Sequence, residues 1–158
     1  LGIGTTFMVL LPMIDKIDQK KSTKNNIIPK GKENVLFVDD EQSLVDIGKT
    51  MLERLGYKVT GISDSQTAWQ TFQKNPDAFD MIITDKTMPG LTGLELSKKM
   101  IGLCPEKPII MCTGFGDEDS LEQAKKIGVR DYIRKPILKK KLAETIRNVF
   151  DQPNEWRG

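Results

Sequence analysis

Histidine is absent from the 158 residues, and cysteine occurs only at positions 104 and 112, without the spacing of a metal-ligand set. Zinc centres of the Cys/His kind and a histidine general base are thereby excluded from this stretch of chain. Long hydrophobic runs are also lacking. The N-terminal apolar stretch from Phe7 to Leu11 is far shorter than the roughly 20 residues needed to cross a bilayer, and it has no positively charged flank of the signal-peptide kind. The chain therefore reads as soluble and cytoplasmic, without membrane contact of its own, whatever anchors a larger parent. Aromatic residues make up 6% and net charge is only +2. Six lysines against three acids between Asp15 and Glu33 account for +3 of that balance, leaving the remainder near neutral. A basic groove interleaved with aromatics is missing, so no nucleic-acid partner is expected.

A chain with 38% apolar and 29% charged residues has the composition of one ordinary globular domain plus a trailing segment. Residues 1–14 read as a glycine and threonine turn with a strand-like run ending at Pro12. Residues 15–33, polar and without periodicity, read as a linker. The main domain is expected over 34–150, with a tail at 151–158. Within it, Val35–Val38, Tyr57–Thr60, Met81–Thr84, Ile109–Cys112 and Val129–Ile133 are short runs, mostly apolar on both faces, as central parallel strands are. Cys112 within the fourth run reads as a free buried thiol, in keeping with a reduced compartment.

Helical patterns separate these runs. Leu44, Ile47, Met51, Leu52 and Leu55 recur as one helix face closed by Gly56. Asp64 caps a second helix that carries Ala68 and Phe72 inward and stops before Pro76. Leu94, Met100 and Ile101 mark a third, Asp117-Glu118-Asp119 opens a fourth that ends at Gly128, and Leu138, Leu142, Ile146 and Val149 form a fifth. Strict alternation of strand and helix predicts an α/β fold with a parallel sheet covered on both faces.

In such a sheet the carboxyl ends of the strands share one edge. Asp39 and Asp40 follow the first run, Asp85 the third, Thr113 the fourth and Lys135 the fifth, so four of five strands deliver polar chemistry to that edge. Any single aspartate there is explained by helix capping; the set is not. Gathered carboxylates repel, and a hard divalent cation such as Mg²⁺ with one lysine would offset them and leave a neutral site for a phosphoryl group. Glu41 reads as an acid at a helix N-terminus instead of a further metal ligand.

The combination of Val35-Leu36-Phe37-Val38-Asp39-Asp40-Glu41, Thr84-Asp85-Lys86-Thr87-Met88-Pro89-Gly90, Cys112-Thr113-Gly114 and Tyr132-Ile133-Arg134-Lys135-Pro136 resembles the receiver domain of two-component response regulators. The resemblance covers roughly residues 34–150. It implies a flavodoxin-like, doubly wound five-stranded sheet of order 2-1-3-4-5. It further implies Asp85 as phosphoacceptor, Mg²⁺ held by Asp39, Asp40, Asp85 and the backbone carbonyl of Thr87, and Lys135 and Thr113 on the phosphoryl oxygens. Thr113 and Tyr132 would form a switch, and Lys135-Pro136 matches a bond often held cis. The implied partner is a histidine kinase dimerisation domain or a histidine phosphotransfer protein, with a homodimer through the switch face as a further possibility. Lys86, directly after the acceptor, departs from the usual pattern and reads first as a solvated loop lysine.

Gly2-Ile3-Gly4-Thr5-Thr6-Phe7-Met8-Val9-Leu10-Leu11-Pro12 is similar to the last glycine box and terminal strand of a histidine kinase ATP-binding domain. Followed by a linker and a receiver, it makes the chain the expected C-terminal piece of a hybrid sensor kinase, a transferase. This piece would catalyse its own Mg²⁺-dependent phosphorylation and dephosphorylation without a kinase core. With eight residues after Phe150, no output domain is expected. Two enzymatic rivals fit less well. Asp85-Lys86-Thr87 is followed by Met88-Pro89 where P-type ATPases have Gly-Thr, and haloacid-dehalogenase-like phosphatases want an acid at position 87. A pseudo-receiver, keeping the fold as a protein-binding module without phosphorylation, is the other alternative.

Overall fold

Side chains alternate faces along a strand, and here the alternation sorts the core into two layers. Val35 and Phe37, Met81 and Ile83, and Ile110 and Cys112 pack with Leu52, Leu55, Leu142, Ala143 and Ile146 on one side. Leu36 and Val38, Ile82, and Ile109 and Met111 pack with Ala68, Phe72, Leu96, Met100 and Ala124 on the other. The strands are β1 (Asn34–Val38), β2 (Lys58–Ile62), β3 (Met81–Asp85), β4 (Ile109–Thr113) and β5 (Asp131–Arg134). The helices are α1 (Gln42–Glu53), α2 (Ser65–Lys74), α3 (Gly93–Leu103), α4 (Glu118–Lys126) and α5 (Lys139–Asp151). Helices α1 and α5 thus cover one face, and α2, α3 and α4 the other. All pairings are parallel in the order β2-β1-β3-β4-β5, the expected doubly wound topology. This computed structural model describes residues 4, 8, 28–114 and 118–151, with backbone alone at 118–121. The expected turn and strand within 1–14, Asp117 and the tail from 152 lie outside the described residues, save for Gly4 and Met8.

Three sequence expectations change in detail. Strands β1, β3 and β4 are buried on both faces, but β2 and β5 form the sheet edges and expose Lys58, Thr60 and Arg134. Ile47 is half exposed. The inward face of α1 is Val45, Gly48 and Leu52, because the Phe37 ring lies where a side chain at position 48 would go, 2.5 Å from its Cβ. Leu138 is also exposed, ahead of α5. Capping follows the sequence: Asp64 accepts from Thr67 N–H at 2.7 Å, and Gly56 and Gly128 take positive φ after their helices.

The last residues of the expected linker, 28–33, pack against the domain. Gly31 N–H donates to Leu55 O at 3.0 Å, Ile28 joins the α1/α5 core layer, and Glu33 pairs with Arg147 of α5 at 2.8 Å. The Arg147 guanidinium lies over the rings of Tyr57 and Phe150, with centroids at 5.5 and 4.9 Å. Burial pushes the Glu33 carboxyl up, but bonding to Arg147 and to backbone N–H groups outweighs it and leaves the carboxyl below its ordinary value of 4.5. A group depressed in the folded state lends stability above its unfolded pKa and loses it as pH falls through the folded one. Amide exchange at Gly31, corrected for its intrinsic pH dependence, is therefore expected to accelerate below about pH 4.5. In Arg147→Met it is fast already at neutral pH; equal protection in the two proteins would refute the clamp.

Candidate functional site

Strand β1 ends at Val38 and β3 at Asp85, and their neighbouring pairing places Asp39 and Asp85 side by side at the carboxyl edge of the sheet. The two share the parity of the residues facing α1 and α5, so their carboxylates point to the same side. Lys135, one residue past β5, reaches across to both. Its ammonium lies 2.8 Å from Asp39 Oδ2 and 2.6 Å from Asp85 Oδ1. The other oxygens accept backbone N–H groups, Asp39 Oδ1 from Glu41 at 3.1 Å and Asp85 Oδ2 from Thr87 at 2.9 Å. Asp39 is 1% exposed and Asp85 6%.

One ammonium between two carboxylates leaves this trio at −1, and the exposed Asp40 beside it brings the local charge to −2. The two carboxylate oxygens on Lys135 lie within about 5 Å of each other, a repulsion of about 3 kcal/mol at an effective dielectric near 20. Burial lowers the proton affinity of Lys135, but its bonds to Asp39 and Asp85 win, and its pKa lies above the ordinary 10.5. The opposite outcome holds at Cys112, paired in register with Asp85, where burial drives the free thiol up to about 12. That thiol stays protonated and inert at neutral pH.

Thr113 closes β4, is 1% exposed, and accepts the Lys135 N–H with its carbonyl at 2.8 Å. Tyr132 is half-buried on β5, opposite Met111, and shares with Thr113 the parity that faces α4. It lines a surface groove of about 540 Å³ with Arg134, Lys135, Leu138 and Lys141. The peptide bond Lys135-Pro136 is cis. Asp40 and Thr87 are exposed at the rim, and Glu41 takes the N-cap position of α1 with its carboxylate accepting from Ser43 at 2.6 Å. Lys86 is partly buried and engaged, not a solvated loop lysine.

The donor set fits a hard divalent cation: the carboxylates are oxygen ligands, carry surplus negative charge, and each oxygen retains a free lone pair. Asp40 does not converge with them. Among the described residues no three acidic side chains are gathered tightly enough to form a ready-made cage. Such a site is completed by carbonyl and solvent oxygens, in keeping with Mg²⁺, which retains several waters.

Glycine at position 93 was not legible as part of the site. It opens α3 directly against the loop after β3, where its N–H donates to Lys86 O at 2.8 Å and any Cβ would collide with the carbonyl oxygen of Asp85. The available signal was the capping box Thr92…Glu95, which is formed here and fixes where α3 begins. Gly93→Ala is expected to cost about 2–3 kcal/mol of stability, the cost of forcing an atom against backbone that cannot yield. Unchanged thermal unfolding of that variant would refute the packing.

With this geometry in place, similarities to known proteins converge. A family model of the response regulator receiver domain matches residues 35–147. A two-component response regulator of Arabidopsis thaliana is 34% identical over 116 residues, 73% of this chain and 20% of that protein. A response regulator receiver domain protein from Clostridium thermocellum has a crystal structure that superposes with a TM-score of 0.72 at 32% identity, covering 75% of this chain and 94% of that one. A chemotaxis protein of Vibrio cholerae gives 0.69 at 30% identity, covering 75% and 99%. The chain spans about a fifth of the length of the plant regulators it matches.

Proposed function

Since the chain belongs to the response regulator receiver domain family, we propose that it accepts a phosphoryl group on Asp85 from a phosphohistidine and converts that event into a change of surface. The observation that carries this reading is the Lys135 ammonium held between Asp39 and Asp85, at 2.8 and 2.6 Å. Two buried carboxylates bound to one lysine form a preorganised electrostatic site for charge that develops during transfer.

In the step itself an Asp85 oxygen attacks phosphorus in line while the bond from phosphorus to the donor imidazole nitrogen breaks, its electron pair staying on that nitrogen. Lys135 loses part of its pairing with Asp85 as the carboxylate becomes an acyl phosphate, and the ammonium is then free to follow the charge onto the phosphoryl oxygens. Thr113, next along the edge, supplies a hydroxyl donor. Asp39, Asp85 and the Thr87 carbonyl would hold Mg²⁺, with Asp40 reaching it from the rim through solvent, and the ion would supply charge neutralisation at the same oxygens. Movement of Thr113 toward the phosphoryl group would open room for Tyr132, which shares its face of the sheet, and alter the groove against which a partner or second copy docks. The donor imidazole comes from a kinase dimerisation domain or a phosphotransfer protein, since these 158 residues hold no histidine. A parent of the hybrid-kinase kind, suggested by residues 1–14, would place that donor in the same polypeptide. The expected domain limits of 34–150 move outward on this reading, to include the clamped residues from 28.

The test is intact mass after incubation with acetyl phosphate and Mg²⁺. One added phosphoryl group, lost on chelation, is the expected result. No adduct together with no Mg²⁺ binding would replace the reading by that of a pseudo-receiver acting through its surface.

A further inference from the structure

The loop from Lys86 to Thr92 carries the Thr87 carbonyl and the Thr87 N–H that holds Asp85, so its placement decides the geometry of the site. Local attachments fix its ends: Thr87 N–H on Asp85, Met88 buried in the α2/α3 layer, and Gly93 against the Asp85 carbonyl. Its middle is held from a remote element. Ser65, the first residue of α2, donates its hydroxyl to Pro89 O at 3.1 Å and accepts from Leu91 N–H at 3.2 Å. These contacts bracket Gly90, whose φ of 77° turns the chain. Ser65 is 2% exposed, and the cap that Asp64 makes on Thr67 fixes its position at the start of the helix.

A buried hydroxyl using both its donor and an acceptor lone pair on one turn satisfies two backbone groups that a methyl group would leave bare. We propose that Ser65 is a positioning residue for phosphoryl acceptance: by pinning the Pro89–Leu91 turn to α2 it sets where the Thr87 carbonyl meets the cation. This inference rests on the receiver reading above and deepens it. Ser65 touches none of the reacting atoms, so its loss should weaken cation binding while leaving the chemistry of the loaded site nearly intact.

The experiment compares wild type, Ser65→Ala, Ser65→Cys and Phe79→Leu, the last being a core change in the same layer that lowers stability without touching the turn. Mg²⁺ affinity is measured by calorimetry, amide exchange at Leu91 by mass spectrometry, and phosphorylation by acetyl phosphate across a Mg²⁺ series. Ser65→Ala is expected to weaken Mg²⁺ binding and raise its half-saturating concentration roughly three- to tenfold, the loss attached to one or two net hydrogen bonds. The rate at saturating Mg²⁺ should stay within about twofold, and Leu91 exchange should accelerate. Ser65→Cys, a weaker donor, should fall between, and carries the test should the alanine variant not fold. Mg²⁺ affinity in the Ser65 variants equal to wild type, or shifted no more than in Phe79→Leu, overturns the inference while the receiver reading stands. A wild-type chain that neither binds Mg²⁺ nor takes up phosphoryl overturns both.

Discussion

Asp85→Asn is expected to take up no detectable phosphoryl group from acetyl phosphate and Mg²⁺ under conditions that label the wild type. The amide oxygen of asparagine is not a nucleophile, and a rate lower by at least about three orders of magnitude follows from removing the attacking group. Among the described residues no other acid is placed to substitute. Asp39 is held by Lys135 and by Glu41 N–H, and Asp40 is exposed at the rim. The same substitution should not harm the fold, because the asparagine oxygen still accepts from Thr87 N–H, Lys135 gives up its bond to residue 85 but keeps Asp39, and repulsion between two carboxylates that share one ammonium is relieved. Thermal unfolding should therefore hold or shift upward. Intact mass and calorimetry on one sample separate these outcomes. A phosphorylated Asp85→Asn chain would move the acceptor elsewhere, and a collapsed one would show Asp85 to be structural.

The sheet and its polar edge were readable because they depend on short-range pattern: apolar runs of strand length, turn residues between them, and a polar residue one step past each run. What escaped depends on which residues meet across space. Ile47 has helical spacing with Leu44 and Met51, yet α1 is rotated so that Val45 and Gly48 face the sheet, a choice made by the Phe37 ring on β1. Gly48 reads in isolation as a weak point in a helix. In the fold it lets α1 settle directly on the Phe37 ring of β1.

Site residues divide the same way. Asp39, Asp85 and Lys135 were identifiable because each follows an apolar run of strand length, and parallel order alone brings them to one edge. Ser65 and Gly93 follow no such rule, since their part is to shape a loop through contacts visible only once α2 and α3 are docked. Residues 28–33 reverse the case. Their composition is that of a linker, but Gly31 fits beneath Tyr57 where no side chain would, and Glu33 finds its counter-charge on α5, more than a hundred residues later. Polar composition predicts solvent exposure on average and says nothing of one glutamate with a distant arginine.

Lys135→Met is expected to have the second-largest effect, on both stability and reaction. It removes the ammonium that joins Asp39 and Asp85 and leaves two little-exposed carboxylates within about 5 Å of each other, a loss of about 3 kcal/mol at neutral pH. The response to Mg²⁺ distinguishes this account from simple loss of packing. In the wild type the raised lysine pKa lends stability that is fully present below the ordinary 10.5 and fades only as pH rises through the folded value, so the neutral range is flat for this group. Millimolar Mg²⁺, able to replace the missing charge, should raise the melting temperature of the variant more than that of the wild type. Phosphorylation should nonetheless remain slower by about two to three orders of magnitude at saturating Mg²⁺, the usual cost of losing a donor aimed at developing charge. Lys135→Arg is expected to recover stability better than rate, because a planar fork cannot occupy the point between two carboxylates that an ammonium fills. A methionine variant whose melting temperature responds to Mg²⁺ no more than that of the wild type would show that Lys135 contributes bulk at this edge and not charge.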